Sequence, residues 1–367
     1  MTTKIPPELV NDQVLSRRNL IINGAMQIAQ RGTSATAMTS GGIFLIDRFK
    51  GRESTNGDAT MEQSTDTPTG AGFGNSLKLA VTTADTDMGG GQFTLIQYKI
   101  EGKDLQQIKY GTSSAEKLTL SFWVKSAKTG TYIVEFINNN SGGAKNQSQS
   151  YTISSADTWE KKTITIDGDT STAFENTTDA ELWLYFWLSA GTNYTGASGS
   201  LNTSWTASVA DNTRAKGVVN WMDSTSNNFY LTGVQLEVGD TATPFEHRSF
   251  GEELALCQRY FYKEVRTSGV FFNFVGFADN STTAYIQHIY PVSMRSEPTL
   301  STTGTAGDYS IRVTGNTLGC SSVPSLSSGN EHVSHVAYSV SSGLTGGQAV
   351  VGKFDAADVF LGFDAEL

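Results

Sequence analysis

Apolar and polar residues alternate along most of this chain, and few stretches carry a helical period. In residues 118–124, Leu118, Leu120, Phe122 and Val124 point one way; Tyr132, Val134 and Phe136 repeat the pattern after the turn Lys128-Thr129-Gly130. Period two is the mark of a half-buried strand, so this stretch predicts a β-hairpin, with Gly130 free to take the positive φ a tight turn needs. Residues 19–30, 41–51, 76–83 and 158–167 read as further strands, and residues 104–111 as a short helical turn. In residues 180–191, Leu182, Leu184, Phe186 and Leu188 share one side, which puts Trp183, Tyr185 and Trp187 on the other. Eight or more strands between Asn19 and Arg248, separated by Gly, Ser and Asn turns, predict an antiparallel jelly-roll β-sandwich.

The pattern changes once. Val234, Leu236 and Val238 alternate with Gln235 and Glu237, then Gly239-Asp240 and Pro244 end the strand. Ser249 with Glu252 three residues on reads as a capping box, and Leu254, Cys257 and Phe261 follow at helical spacing. Alternating runs then resume and continue to the terminal segment 358–367. The predicted organisation is an N-terminal arm (1–18), a sandwich (19–248), a helical connector (249–263) and a second, smaller β-domain (264–367). No fixed-period repeat points to a propeller or β-helix. The apolar C-terminal segment 359–367 predicts a strand packed in its own domain or on another subunit.

Composition fits an all-β chain: 367 residues, 37 of them glycine and 7 proline, with 17% charged residues. A formal charge of -10 argues against a nucleic-acid binder, which needs a basic stripe for the phosphates, and disfavours charge-driven binding to anionic lipid. Cys257 and Cys320 do not make a disulfide framework and are expected as free thiols. The N-terminal residues lack the basic start and apolar stretch of a signal peptide.

Candidate chemistry is sparse. No phosphate-binding loop or nucleophile elbow occurs. His332 and His335, three apart on an expected strand, face opposite sides rather than one metal; His247 and His288 stand alone. Glu101 with Asp104, and Asp167 with Asp169, are carboxylate pairs that could flank a glycosidic bond, but each lies in a turn-like segment where such residues are common for local reasons. Exposed aromatic rings can stack on the C–H faces of sugars. Tyr194, Trp205 and Trp221 lie near polar loops and are the candidate ligand-binding residues. The Trp183, Tyr185 and Trp187 face is read rather as buried, since large aromatics most often form cores or subunit contacts.

The phrases RRNLIINGAMQIAQRGTS, LTLSFWVKSAKTGTYIVEF and, above all, GVQLEVGDTATPFEHRSFGEELALCQRYFYK (residues 233–263) resemble a family of bacteriophage and prophage tail-fibre proteins. SFWVKS, TWEKKTITI and YLTGVQLE also resemble strands of jelly-roll carbohydrate-binding modules. The resemblance implies a non-enzymatic, homotrimeric virion protein made in the host cytoplasm. It would dock on the tail or baseplate through its N-terminal arm, turn its C-terminal β-domain (264–367) to the receptor and recognise a host glycan. A monomeric carbohydrate-binding or capsid-decorating module and a glycan hydrolase or esterase are the alternatives. Related modules often carry acidic calcium ligands at the start of the closing strand. Here those positions are Leu231-Thr232-Gly233, so a structural calcium, if present, has no assigned site and no other cofactor is expected.

Overall fold

The computed structural model describes residues 17–196, 198–207, 213–265 and 271–367, with backbone alone at 271–274. The expected N-terminal arm lies outside the described residues apart from Arg17 and Arg18. The chain divides into two compact units, Met1–Ser249 and Phe250–Leu367.

The first unit contains β1 (Thr36–Ala37), β2 (Lys50–Ser54), β3 (Asp58–Ser64), β4 (Ser76–Thr83), β5 (Phe93–Glu101), β6 (Leu118–Ser126), β7 (Gly130–Asn138), β8 (Lys145–Ile153), β9 (Glu160–Ile166), β10 (Ala180–Ala190), β11 (Thr206–Ala207) and β12 (Asn228–Val238). They form two six-stranded antiparallel sheets, in the orders β1-β3-β4-β12-β6-β9 and β11-β8-β7-β10-β5-β2. Leu79, Leu120 and Leu236 of the first sheet and Val134, Phe136 and Leu184 of the second share one core, each 0% exposed. The rings of Phe122 and Phe186 meet edge to face across it, 5.3 Å apart. This is the jelly-roll sandwich that the alternation predicts.

The expected hairpin is not one. β6 pairs with β9 and β12, while β7 pairs with β8 and β10, so the turn after Ser126 carries the chain from one sheet to the other. Both edges of each strand are occupied, which leaves no edge for β6 and β7 to share. Alternation specifies which side a residue faces and not which strand lies beside it.

Residues 19–30 also depart from the strand expectation. Ile21, Met26 and Ile28 enter the core, but Asn23 and Met26 take positive φ and the segment turns rather than runs straight. The Asn23 side chain holds that turn, with its amide oxygen accepting from Ile28 N (2.9 Å) and its nitrogen donating to the carbonyls of Ile28 (2.8 Å) and Asp47 (2.9 Å). The segment docks on β12, with Leu20 N donating to Leu236 O and Val234 N to Gly24 O, both at 2.9 Å. A Cβ at Gly24 would sit 2.1 Å from the Val234 carbonyl oxygen, so only glycine permits the approach. β12 itself carries a bulge between Thr232 and Gln235, where Gly233 has φ 61. The bulge shifts the inward set from Phe229 and Leu231 to Val234 and Leu236, all four fully buried.

The second unit begins with helix α2 (Phe250–Gln258). The helix stops short of the expected residue 263: Tyr260 turns back on Cys257, and β13 (Phe261–Val265) opens instead. The reason is a partner distant in sequence. β13 and β16 (Thr299–Thr302) flank the C-terminal strand β22 (Phe360–Asp364) in a three-stranded sheet, order β13-β22-β16. Leu361 and Phe363 of β22 are fully buried, so the apolar terminus packs within its own unit.

The remaining strands are β14 (Phe271–Ala278), β15 (Thr283–Ile289), β17 (Tyr309–Val313), β18 (Asn316–Gly319), β19 (Ser325–Gly329), β20 (Val333–Ser339) and β21 (Ala349–Phe354). They form a seven-stranded antiparallel sheet. His288 Nδ1 of β15 meets the carboxylate of Glu264, on β13 of the three-stranded sheet, at 2.7 Å, both side chains almost wholly buried. Cys257 and Cys320 are buried free thiols.

Candidate functional site

β10 is apolar on both faces. Leu182, Leu184, Phe186 and Leu188 fill the sandwich core, and Trp183, Tyr185 and Trp187 stand on the outer face of the second sheet. Register places their neighbours. Trp187 lies between Leu95 of β5 and Ile133 of β7, Tyr185 between Gln97 and Glu135, and Trp183 between Lys99 and Ile137. Helix α1 (Thr192–Thr195) and residues 213–218 supply Tyr194, Ala215 and Val218 to this outer cluster. Trp187 and Tyr185 are therefore buried, at 1% and 7% exposed, while Trp183 and Phe93 stay half-buried.

Beside this cluster a cleft of about 240 Å³ opens on the sheet face. Its aromatic lining is Phe93, Trp183, Tyr185, Trp187 and Tyr194. Trp183 and Tyr185 lie near parallel, with centroids 6.2 Å apart and an interplanar angle of 28°. Tyr194 tilts against Trp187 at 5.0 Å and meets Phe93 edge to face at 6.0 Å. The indole N–H groups are satisfied internally, Trp183 on Ala180 O (3.0 Å) and Trp187 on Glu135 Oε2 (2.9 Å). Gln97 donates to the Tyr185 hydroxyl at 2.8 Å. These bonds fix the rings before any ligand arrives, so little side-chain entropy remains to be lost on binding.

The polar lining is Arg52, Asn139 and Arg214. Arg214 grips Glu135 with two bonds, Nε to Oε1 at 2.6 Å and Nη2 to Oε2 at 3.1 Å. The Glu135 side chain is 0% exposed and that of Arg214 21%. Burial pushes the Glu135 carboxyl above its ordinary range; the Arg214 guanidinium and the bond from Trp187 oppose that push without cancelling it. Arg52 lies over Phe93, with its guanidinium carbon 5.2 Å from the ring centroid, and donates to Ser40 O at 3.1 Å. Lys99 Nζ sits 4.3 Å from the Trp183 centroid.

Of the three residues singled out from the sequence, only Tyr194 reaches this cleft. Trp221 is 0% exposed in the sandwich core, with Nε1 donating to Asn228 O at 3.1 Å, so it offers no face to a ligand and the expectation fails there. Trp205 lies elsewhere, half-buried against Tyr110, with Nε1 on Asp167 O at 2.8 Å. The face read as buried is largely so, with Tyr185 and Trp187 covered and Trp183 half-buried, and it is the face that lines the cleft. Its signal was present in the alternation of residues 180–191. Phe93, Arg52 and Arg214 gave none, because their placement depends on pairing across the sheet.

The other candidates separate. Glu101 is buried and Asp104 exposed. Asp167 pairs with Lys117 at 3.0 Å in the open. Asp169 is buried and engaged by Ser171 N (3.0 Å) and Oγ (2.7 Å) and by Lys145 Nζ (3.4 Å). Burial raises its pKa, and these partners outweigh burial and hold it below the usual range. His332 and His335 are exposed, beside Ser293 and Ser328 respectively. No group of three or more His, Cys, Asp or Glu side chains that could hold a metal is found among the described residues. At the closing strand, Leu231 is in the core and the Thr232 hydroxyl donates to Asn75 O at 2.8 Å.

Fold and cleft together define a jelly-roll β-sandwich with a preformed aromatic cleft on one outer sheet face. No protein-family model matches the sequence, and no curated protein matches it. Among solved structures, the chain is similar to the enzymatically active domain of tailspike protein 4 of bacteriophage CBA120: 14% identity over 60% of this chain and 21% of that one, TM-score 0.34. It is also similar to the family 11 carbohydrate-binding module of Clostridium thermocellum, solved with a β-1,3-1,4-mixed-linked tetrasaccharide: 11% identity, 58% of this chain and 99% of that one, TM-score 0.28. A third is the CBM22-2 xylan-binding domain from Paenibacillus barcinonensis: 13% identity, 55% and 98%, TM-score 0.28.

Proposed function

We propose that the first unit binds a glycan in the cleft on the outer face of the second sheet, and that the chain is a non-enzymatic phage tail fibre that attaches the virion to its host. The observation that carries the glycan reading is the preformed set of rings, with Trp183 and Phe93 half-buried at the opening and Asn139 beside them. Ring faces match the C–H faces of a pyranose, and the amide and guanidinium groups match its hydroxyls. The tail-fibre reading is supported by the sequence phrases quoted above, most of all residues 233–263. Attachment would be multivalent: a homotrimer held on the tail or baseplate by its N-terminal arm presents several weak sites at once.

The experiment is a glycan array followed by titration of the best ligand into the full chain and into Trp183→Ala. Trp183 is half-buried and at the opening, so its truncation leaves the core intact. Affinity is expected to fall about tenfold or more, ~1.4 kcal/mol. Unchanged affinity would remove the cleft from the proposal. Light scattering addresses the fibre reading separately: a mass near three times 39.4 kDa is expected, and a monomer that binds sugar favours the carbohydrate-binding module. Incubation with host polysaccharide should release no new reducing ends; release would instead favour the hydrolase.

A further inference from the structure

We propose that the cleft selects anionic sugars, residues bearing a carboxylate or sulfate, and that Arg52 and Arg214 read that charge. The proposal rests on the glycan reading above and adds the class of ligand. Its starting point is the charge of the lining. The chain as a whole carries a formal charge of -10, yet the residues around the cleft include two arginines and no carboxylate. Glu135 neutralises one of them from beneath and is not part of the lining. The cleft is therefore locally positive on a protein of negative net charge, which favours an acidic ligand there.

The two arginines are set up differently, and both settings suit an oxyanion. Arg214 is held side-on by the Glu135 carboxylate through Nε and Nη2. Nη1 makes no hydrogen bond to protein among the described residues and remains a donor, fixed in position by the other two bonds. Arg52 has no ion-pair partner among the described residues. Its plane is steadied on Phe93, and a single bond from Nε to Ser40 O leaves both terminal nitrogens to spare. A guanidinium anchored in this way is a rigid fork for carboxylate or sulfate, with little entropy to lose on binding.

A neutral explanation would give both arginines purely structural tasks. It accounts for Arg214 under Trp187, but a cation–π contact with Phe93 does not require that Arg52 lack a counter-charge. On the outer face of the first sheet the corresponding cations are paired: Lys125 with Asp66, and Lys78 with Glu62.

The test uses the full chain and three oligosaccharides of equal length: an oligogalacturonate, a sulfated oligosaccharide and a neutral β-glucan. Titrations are run at about 20 mM and about 300 mM salt, since charge selection between exposed groups is screened at the higher value. An acidic oligomer is expected to bind about tenfold or more tighter than the neutral one at low salt, with the gap narrowing at high salt. Arg52→Gln should lower affinity for the acidic oligomer more than for the neutral one, and Arg52→Lys should restore part of the difference. Arg52 sits on an edge strand, so these variants keep the fold; circular dichroism checks that. The carboxylate and sulfate arms show which anion is read. Equal affinity for acidic and neutral oligomers, or an Arg52→Gln loss that is the same for both, overturns charge selection. If Trp183→Ala still abolishes neutral binding, the cleft reading survives that failure. Binding of all three unaffected by Trp183→Ala overturns both.

Discussion

The outer faces of the two sheets of the first unit use the same ingredients and end differently. On the first sheet, register lines up Glu62, Lys78, Tyr230 and Lys125 across four strands. Lys125 lies 4.2 Å from the Tyr230 ring and 5.5 Å from Trp159, which donates to Asp66 at 3.0 Å. Rings and cations are as plentiful there as around Trp183. The difference is compensation: Lys78 and Lys125 each have a carboxylate, Glu62 and Asp66, and the row is self-satisfied. On the second sheet the carboxylate Glu135 is sunk beneath the rings, Arg52 is left without one, and a cleft remains open. Aromatic residues with basic neighbours do not make a site. What sets the second face apart is an open cleft beside the rings, with donors of Arg52 left unspent.

The sharpest way to break this contrast is at its buried charge. Arg214→Met leaves Glu135 fully buried without its cation and should cost about 3 kcal/mol or more in denaturant unfolding. The loss should shrink at low pH, where a protonated Glu135 needs no cation. Truncating Trp187, 1% exposed between Leu95 and Ile133, should cost about 3–5 kcal/mol through the cavity it leaves, read as a fall in the unfolding midpoint. On the first sheet the counterpart is small: Glu62→Gln, which breaks the Lys78 pair, should change stability by about 0–1 kcal/mol.

The two faces should also titrate with opposite sign. Burial raises the folded pKa of Asp66 less than Lys125 and Trp159 lower it, so that carboxyl sits below its ordinary range. Its contribution is present above the unfolded pKa and is lost as pH falls through the folded one; Asp66→Asn should flatten the acid limb of a stability–pH curve. Glu135 is raised by burial, so its contribution is complete below the unfolded pKa and is lost as pH rises through the folded one. Glu135→Gln should flatten that upper limb and leave the acid limb unchanged. Equal slopes in the two variants would mean that the faces do not differ in this respect.

Much of the fold is legible in the chain because period two is a local property. The inward and outward sets of residues 180–191 and 118–124, the bend at residues 239–244 and the return to strands after residue 260 can each be read from a few adjacent residues. The misreadings share one cause. The expected β6–β7 hairpin, the strand at residues 19–30 and the helix drawn on to residue 263 all depend on which distant segment supplies hydrogen bonds. β6 is taken by β9 and β12, residues 19–24 by β12, and Phe261 by the C-terminal strand.

The candidate site follows the same division. Alternation along β10 determined that Trp183, Tyr185 and Trp187 share a face. Whether that face was core, contact or cleft was decided by Phe93 from β5, Tyr194 from α1, Arg52 from β2 and Arg214 from the segment beyond β11. Trp221 illustrates the converse, since a tryptophan close to the polar residues Asn220, Asp223 and Ser224 was drawn fully into the core by packing against residues far from it in sequence. A residue's side of the sheet is set by its own backbone. Its exposure and charge balance are set by what long-range pairing brings next to it, and no local pattern carries that information.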